Sequence, residues 1–243
     1  MFLRCIGPTL VLAATGLLAG CQAASPVHTA PERQRLAVAL NAALAPWLLA
    51  ANHTRDSGQF TLALTFDRQG QLLTCKARKD WGVAPTLARA AERACWNAAL
   101  PEVSASFWGT NKTLTFLAPI NFQSAPLTPG RALRLGIAQF TPFEQNEYVW
   151  ARLREVQIDG IGVAALYYRA NAAGQVQACE VALSRAVGRE GDFRDSKPFQ
   201  RRLQQACLGL NLAAMPGFAV SQDGQAQGVV RLPYSPWRRN APL

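Results

Sequence analysis

The chain has 243 residues, of which 49% are hydrophobic and 16% charged, with 18 Gly and 15 Pro. That balance excludes a disordered tail protein and a multi-span membrane protein, and the length fits one or two domains. Lys and Arg number 25 against 15 Asp and Glu, a net +10. The basic residues are scattered, with pairs such as Arg201-Arg202 and Arg238-Arg239 as the longest runs, so no nucleic-acid partner is expected.

Residues 1–20 carry one arginine, a short apolar run and small residues before a cysteine, the layout of a secretory signal. Leu18-Ala19-Gly20-Cys21 matches a bacterial lipobox, which makes Cys21 the expected lipidation site and residues 21–30 a short tether. More than one acyl chain anchors a protein stably. Gln22 follows in place of the Asp that marks inner-membrane retention. The expectation is a protein lipid-anchored in the bacterial outer membrane and facing the periplasm. Cys5 leaves with the signal, so four cysteines remain in an oxidising compartment, where three disulfide pairings are open.

From residue 31 to 122 the pattern reads as one folded unit. A helix over Pro31 to Ala51 shows Leu36, Leu40, Leu44 and Trp47 on one side and is interrupted at Pro46. Phe60 to Phe66 alternates as a half-buried strand, and Asp67 to Gly70 reads as a hairpin turn. The next strand holds Cys75 in step with Leu73 and Ala77. A helix from Pro85 follows, with the stripe Leu87, Ala91, Ala94, Cys95, Ala98, and a last strand runs from Thr113 to Ile120.

After a Pro- and Gly-containing linker at 123–142, residues 143–243 repeat the pattern. A helix runs from about Phe143 to Val156. A strand over Val163 to Tyr168 leads to a turn, Asn171 to Gly174, that is poor in polar residues. Cys179 follows in step with Val181 and Leu183. The second helix, with Ser196 as N-cap, carries Phe199, Leu203, Ala206, Cys207 and Leu210 at the spacing of the earlier stripe. Val229 to Tyr234 closes the unit, and Gly188 to Asp195 is an insertion with no counterpart upstream. Each strand cysteine can therefore face its own helix, which predicts Cys75–Cys95 and Cys179–Cys207. The predicted fold class is α+β: two tandem α-β-β-α-β repeats, each with two helices on a three-stranded antiparallel sheet and one disulfide.

Phe60-Thr-Leu-Ala-Leu-Thr-Phe-Asp-Arg-Gln-Gly70, the cysteine-bearing second strand, Ala98-Ala-Leu-Pro101 and Leu114-Thr-Phe-Leu-Ala-Pro-Ile-Asn-Phe122 resemble the C-terminal domain shared by the TonB and TolA periplasmic proteins. The resemblance implies a protein-binding domain whose open sheet edge takes a strand from a partner. It also implies a disulfide of the same kind, since some members of that family join this strand to this helix. The departures count too. A lipid anchor replaces the inner-membrane helix and long spacer, which points to a fixed adaptor rather than an energy transducer.

Pro119 and Pro233 place the last strands at sheet edges, so Thr113, Thr115, Leu117, Val229 and Arg231 are the candidate partner-binding residues. Two arrangements are open: free edges, or the edges of the two units paired with each other. Trp96, off the core stripe, forms a candidate aromatic patch with Phe107 and Trp108. His28 and His53 are the only histidines, and no nucleophile-elbow, zinc-protease or phosphate-loop motif occurs. No enzyme activity, cofactor or metal is expected. The expected function is a non-catalytic adaptor for an envelope protein partner, as in a secretion, pilus or transporter complex. The alternative is a structural lipoprotein that binds peptidoglycan or anionic lipid through its arginines.

Overall fold

A computed structural model describes residues 29–52, 56–78, 85–122 and 142–241. The predicted signal, Cys21, its tether up to residue 28 and the linker from 123 to 141 lie outside the described residues. Helix α1 spans Ala30–Ala51. Glu32 Oε2 accepts from the Thr29 N–H at 3.1 Å and from the Thr29 hydroxyl at 3.0 Å, which closes the first turn. The helix continues through Pro46 instead of breaking there. Leu36, Leu40, Leu44 and Leu48 recur every fourth residue and all are buried, so burial on both sides of the proline outweighs one lost backbone bond. By length and composition Pro31–Ala51 could cross a membrane, but its leucine stripe packs into the protein core.

Strands β1 (Gly58–Asp67) and β2 (Leu72–Arg78), helix α2 (Pro85–Asn97) and strand β3 (Thr113–Phe122) follow. Helix α3 covers 142–153, and then come β4 (Gly162–Asn171), β5 (Val176–Ser184), α4 (Lys197–Leu208) and β6 (Gln225–Tyr234). The order α-β-β-α-β thus occurs twice along the chain. The strands form two separate antiparallel sheets, β2-β1-β3 and β5-β4-β6. The chain is therefore mixed α+β, as its pattern predicts. One disulfide ties each sheet to a helix, Cys75 to Cys95 and Cys179 to Cys207, with Cα–Cα distances of 6.3 and 6.2 Å.

The two hairpins share their fine geometry. Gly70 and Gly174 take φ of 70° and 79°, the left-handed conformation that closes a three-residue loop. Asp67 Oδ1 accepts from the Gln69 and Gln71 N–H groups, and Asn171 Oδ1 accepts from the Gln175 N–H at 3.0 Å. The second turn therefore has a polar cap after all, supplied by Asn171. Each hairpin also carries a bulge at the same place. Pairing runs Phe66 to Leu72 and then Thr65 to Thr74, skipping Leu73; it runs Ala170 to Val176 and then Arg169 to Ala178, skipping Gln177. The bulge corrects the predicted register of β2. Leu73 is turned outward at 38% exposure, and Leu72 fills the core beside Cys75.

An added Cβ separates the two glycines. At Gly70 it would meet nothing, whereas at Gly174 it would overlap the backbone of Ala213. Gly70→Ala should cost about 1 kcal/mol, the conformational penalty alone. Gly174→Ala should cost about 2 kcal/mol, because the Leu212 segment that hydrogen-bonds to this turn must also shift. Urea unfolding of the two variants checks the difference.

The halves are joined by more than their linker. Phe143, Ile161, Ala186 and Trp237 from the C-terminal half are buried in the same cluster as α1, α2 and the first sheet. The predicted insertion docks the halves. Arg189, 7% exposed, donates Nη1 to the Leu100 carbonyl at 2.6 Å and Nε to Asp192 Oδ2 at 2.6 Å.

Candidate functional site

The two sheets present four edges: β2, β3, β5 and β6. A proline fixes which backbone groups of an edge strand face outward. It has no N–H to exchange in a hydrogen-bonded pair, so Pro119 opposite Thr61 and Pro233 opposite Val163 stand at non-hydrogen-bonded pairs. Residues in step with them turn N–H and C=O away from the neighbouring strand. On β3 these are Thr113, Thr115, Leu117 and Asn121; on β6 they are Gln227, Val229 and Arg231.

Three of the four edges carry caps from side chains of a helix in the same half. On β2, Glu92 Oε1 of α2 accepts from the Ala77 N–H at 2.8 Å. On β5, Gln204 Nε2 donates to the Cys179 carbonyl at 3.0 Å, and Gln200 Nε2 donates to that of Val181. On β6, Asn146 Nδ2 and Trp150 Nε1 of α3 donate to the Arg231 and Pro233 carbonyls at 3.0 and 3.1 Å. The geometry follows from the element repeats. Four helical residues advance about 6 Å and two strand residues about 6.6 Å, so donors at i and i+4 match alternate carbonyls. The carbonyl of Arg231, a candidate binding residue, thus already accepts from Asn146. Val229, 42% exposed, marks the open part of β6. Tyr234 at the end of that strand stays neutral, because burial, helped by Asp195, pushes its phenol up to about 12.

Edge β3 is different. Among the described residues no strand or side chain takes the outward backbone groups of Thr113, Thr115, Leu117 or Asn121. The reason is visible in α1, the counterpart of α3. From Leu36 to Ala51 it offers only Asn41 and the Trp47 indole as polar side chains, so it has no donor pair for this edge. β3 is nevertheless held firmly on its other side by ten paired residues of β1. The Arg68 guanidinium pins its start, donating to the Gly109 and Asn111 carbonyls at 2.5 and 2.9 Å. Thr115 shares a hydroxyl hydrogen bond with Thr65 at 3.0 Å on the outer face. On the core face Leu114, Phe116 and Phe122 are only partly buried, and they leave apolar surface beside the open edge.

The predicted aromatic patch does not exist at the surface. Trp96, Phe107 and Trp108 are 4%, 9% and 6% exposed. Helix α2 is packed by α1, by the sheet and by the 3-10 helix Pro236–Asn240, so a position off its main stripe is buried as well. Trp108 donates its indole N–H to Val103, and Phe107 packs on Phe116. Among the described residues no group of three or more His, Cys, Asp or Glu side chains is placed to hold a metal ion. No family model, curated protein or solved structure matches the chain. The site therefore rests on its own geometry.

Proposed function

We propose that the chain is a periplasm-facing outer-membrane lipoprotein, anchored at Cys21 and built of two tandem α-β-β-α-β repeats, that acts as a non-catalytic adaptor by accepting a partner strand on β3. The observation that carries this reading is the asymmetry of the edges: β2, β5 and β6 bear side-chain caps, and β3 bears none among the described residues. Uncapped edges invite strand pairing, and proteins that do not use them cover them. A strand added there would bond to the outward groups of Thr113, Thr115 and Leu117. Its alternate side chains would cover Leu114, Phe116 and Phe122. The lipid anchor and the strand-accepting domain together describe a fixed envelope adaptor, in keeping with the TonB and TolA resemblance.

The test uses the parity of the strand. Thr115→Pro removes an outward N–H and one exposed hydroxyl bond to Thr65 but leaves the backbone bonds to β1 intact, and Pro119 already occupies an equivalent position. The variant is expected to fold and to lose the crosslink that a photoreactive residue at Leu117 forms to an envelope protein in cells. Retention of that crosslink would rule out strand addition at β3. Self-association of the purified protein, lost in Thr115→Pro, would put a second copy on the edge. Salt-sensitive binding to peptidoglycan or anionic vesicles, unchanged in the variant, would favour the arginine-based alternative.

A further inference from the structure

A pocket of about 180 Å³ lies where α2, α3 and the 3-10 helix Pro236–Asn240 meet, away from β3. Trp150 and Ile158 give it apolar walls, and Arg93, Arg154, Arg238 and Arg239 also line it. Against these four guanidinium groups stand Glu147 in the lining and Glu144, 3.6 Å from Arg93. Among the described residues this leaves two positive charges unmatched at the pocket.

Arg238 is the second observation. It is 6% exposed, its Nη2 lies 2.5 Å from Glu147 Oε1, and its Nε has no hydrogen-bond partner among the described residues. That Nε is sealed from solvent, so an anion in the pocket would meet the charge of the guanidinium, which lines the pocket beside Arg154 and Arg239. The guanidinium also sits 5.8 Å from the Trp150 ring centre, so charge and apolar wall are adjacent. The size restricts the ligand further. A cavity of about 150 Å³ accommodates benzene, and drug-sized ligands need about 300 Å³ or more.

We propose that this pocket binds a small organic carboxylate, one apolar group bearing a single carboxylate, either free or as the C-terminal residue of a peptide. The apolar group lies against Trp150 and Ile158, and the carboxylate faces Arg238 with Arg154 and Arg239 around it. The site does not depend on strand addition, and Thr115→Pro leaves it unchanged.

Calorimetric titration of the purified protein with N-acetylphenylalanine and with its amide tests the proposal. The acid is expected to bind about tenfold more tightly than the amide. Arg154→Gln should weaken the acid and not the amide, and Ala151→Phe, which fills the pocket, should abolish both. Both positions are exposed, so the melting temperature should not move. A short peptide ending in phenylalanine, free or amidated at its C-terminus, identifies the source. Tighter binding than the free acid assigns the pocket to chain termini, and weaker binding assigns it to small acids. Equal affinity for acid and amide, no saturation by any of these compounds, or binding unaffected by both substitutions would overturn the proposal.

Discussion

Replacing Cys75 and Cys95 by alanine is expected to lower stability by about 3 kcal/mol, and replacing Cys179 and Cys207 by about as much. The bridges close loops with sequence separations of 20 and 28, and each loop constrains the unfolded chain independently of the other. They neither overlap nor share partners, so the losses should add. Together they approach the whole stability of a typical domain, about 5–15 kcal/mol. Each pair should lower the melting temperature by about 10 °C. Urea unfolding of both double variants and of the quadruple variant measures this. If dithiothreitol leaves the midpoint of the native protein unchanged, the bridges do not contribute in this way.

The helix and strand cysteines could be paired from the pattern because their positions repeat at one spacing in both halves. Cys95 and Cys207 each sit on an apolar stripe, and each faces a cysteine on the strand that precedes its helix. What the pattern concealed was local and relational. The bulge at Leu73 depends on how β2 pairs with β1, so strict alternation put the wrong leucine inside. Trp96 looked exposed because only one face of α2 was assigned a neighbour. In the structure the C-terminal 3-10 helix packs on it as well.

The edge residues were legible in part. Pro119 and Pro233 marked β3 and β6 as edges and set the parity of Thr113, Thr115 and Leu117. The caps that distinguish the two edges were missed, although a signal for them existed. Gln200 with Gln204 on α4, and Asn146 with Trp150 on α3, are polar-capable pairs four residues apart. α1 has no such pair beyond Leu36.

Glu147→Ala is expected to cost about 3 kcal/mol, as much as a disulfide, from one exchange at the junction of the halves. Glu147 Oε1 accepts from Arg238 Nη2 at 2.5 Å and from Asn97 Nδ2 at 2.8 Å, which joins α3, the C-terminal 3-10 helix and α2. The Arg238 side chain is 5% exposed and that of Glu147 is 20% exposed. Burial holds the Arg238 guanidinium below its ordinary range, and the Glu147 carboxylate pulls it back up. Without the carboxylate the buried charge of Arg238 loses its acceptor, and the Asn97 amide keeps only the Arg93 carbonyl at 3.3 Å. Breaking such a pair costs about 3–5 kcal/mol, and the partial exposure of Glu147 sets the lower end. The double variant Glu147→Ala with Arg238→Met should then be more stable than Glu147→Ala alone, because the stranded charge is gone. That ordering separates an ion pair from simple packing, since a packing defect would make the double variant worse. The disulfides act within one half, whereas this change loosens the contact between halves. Its unfolding should therefore broaden, with a smaller m-value, as the two halves cease to melt together.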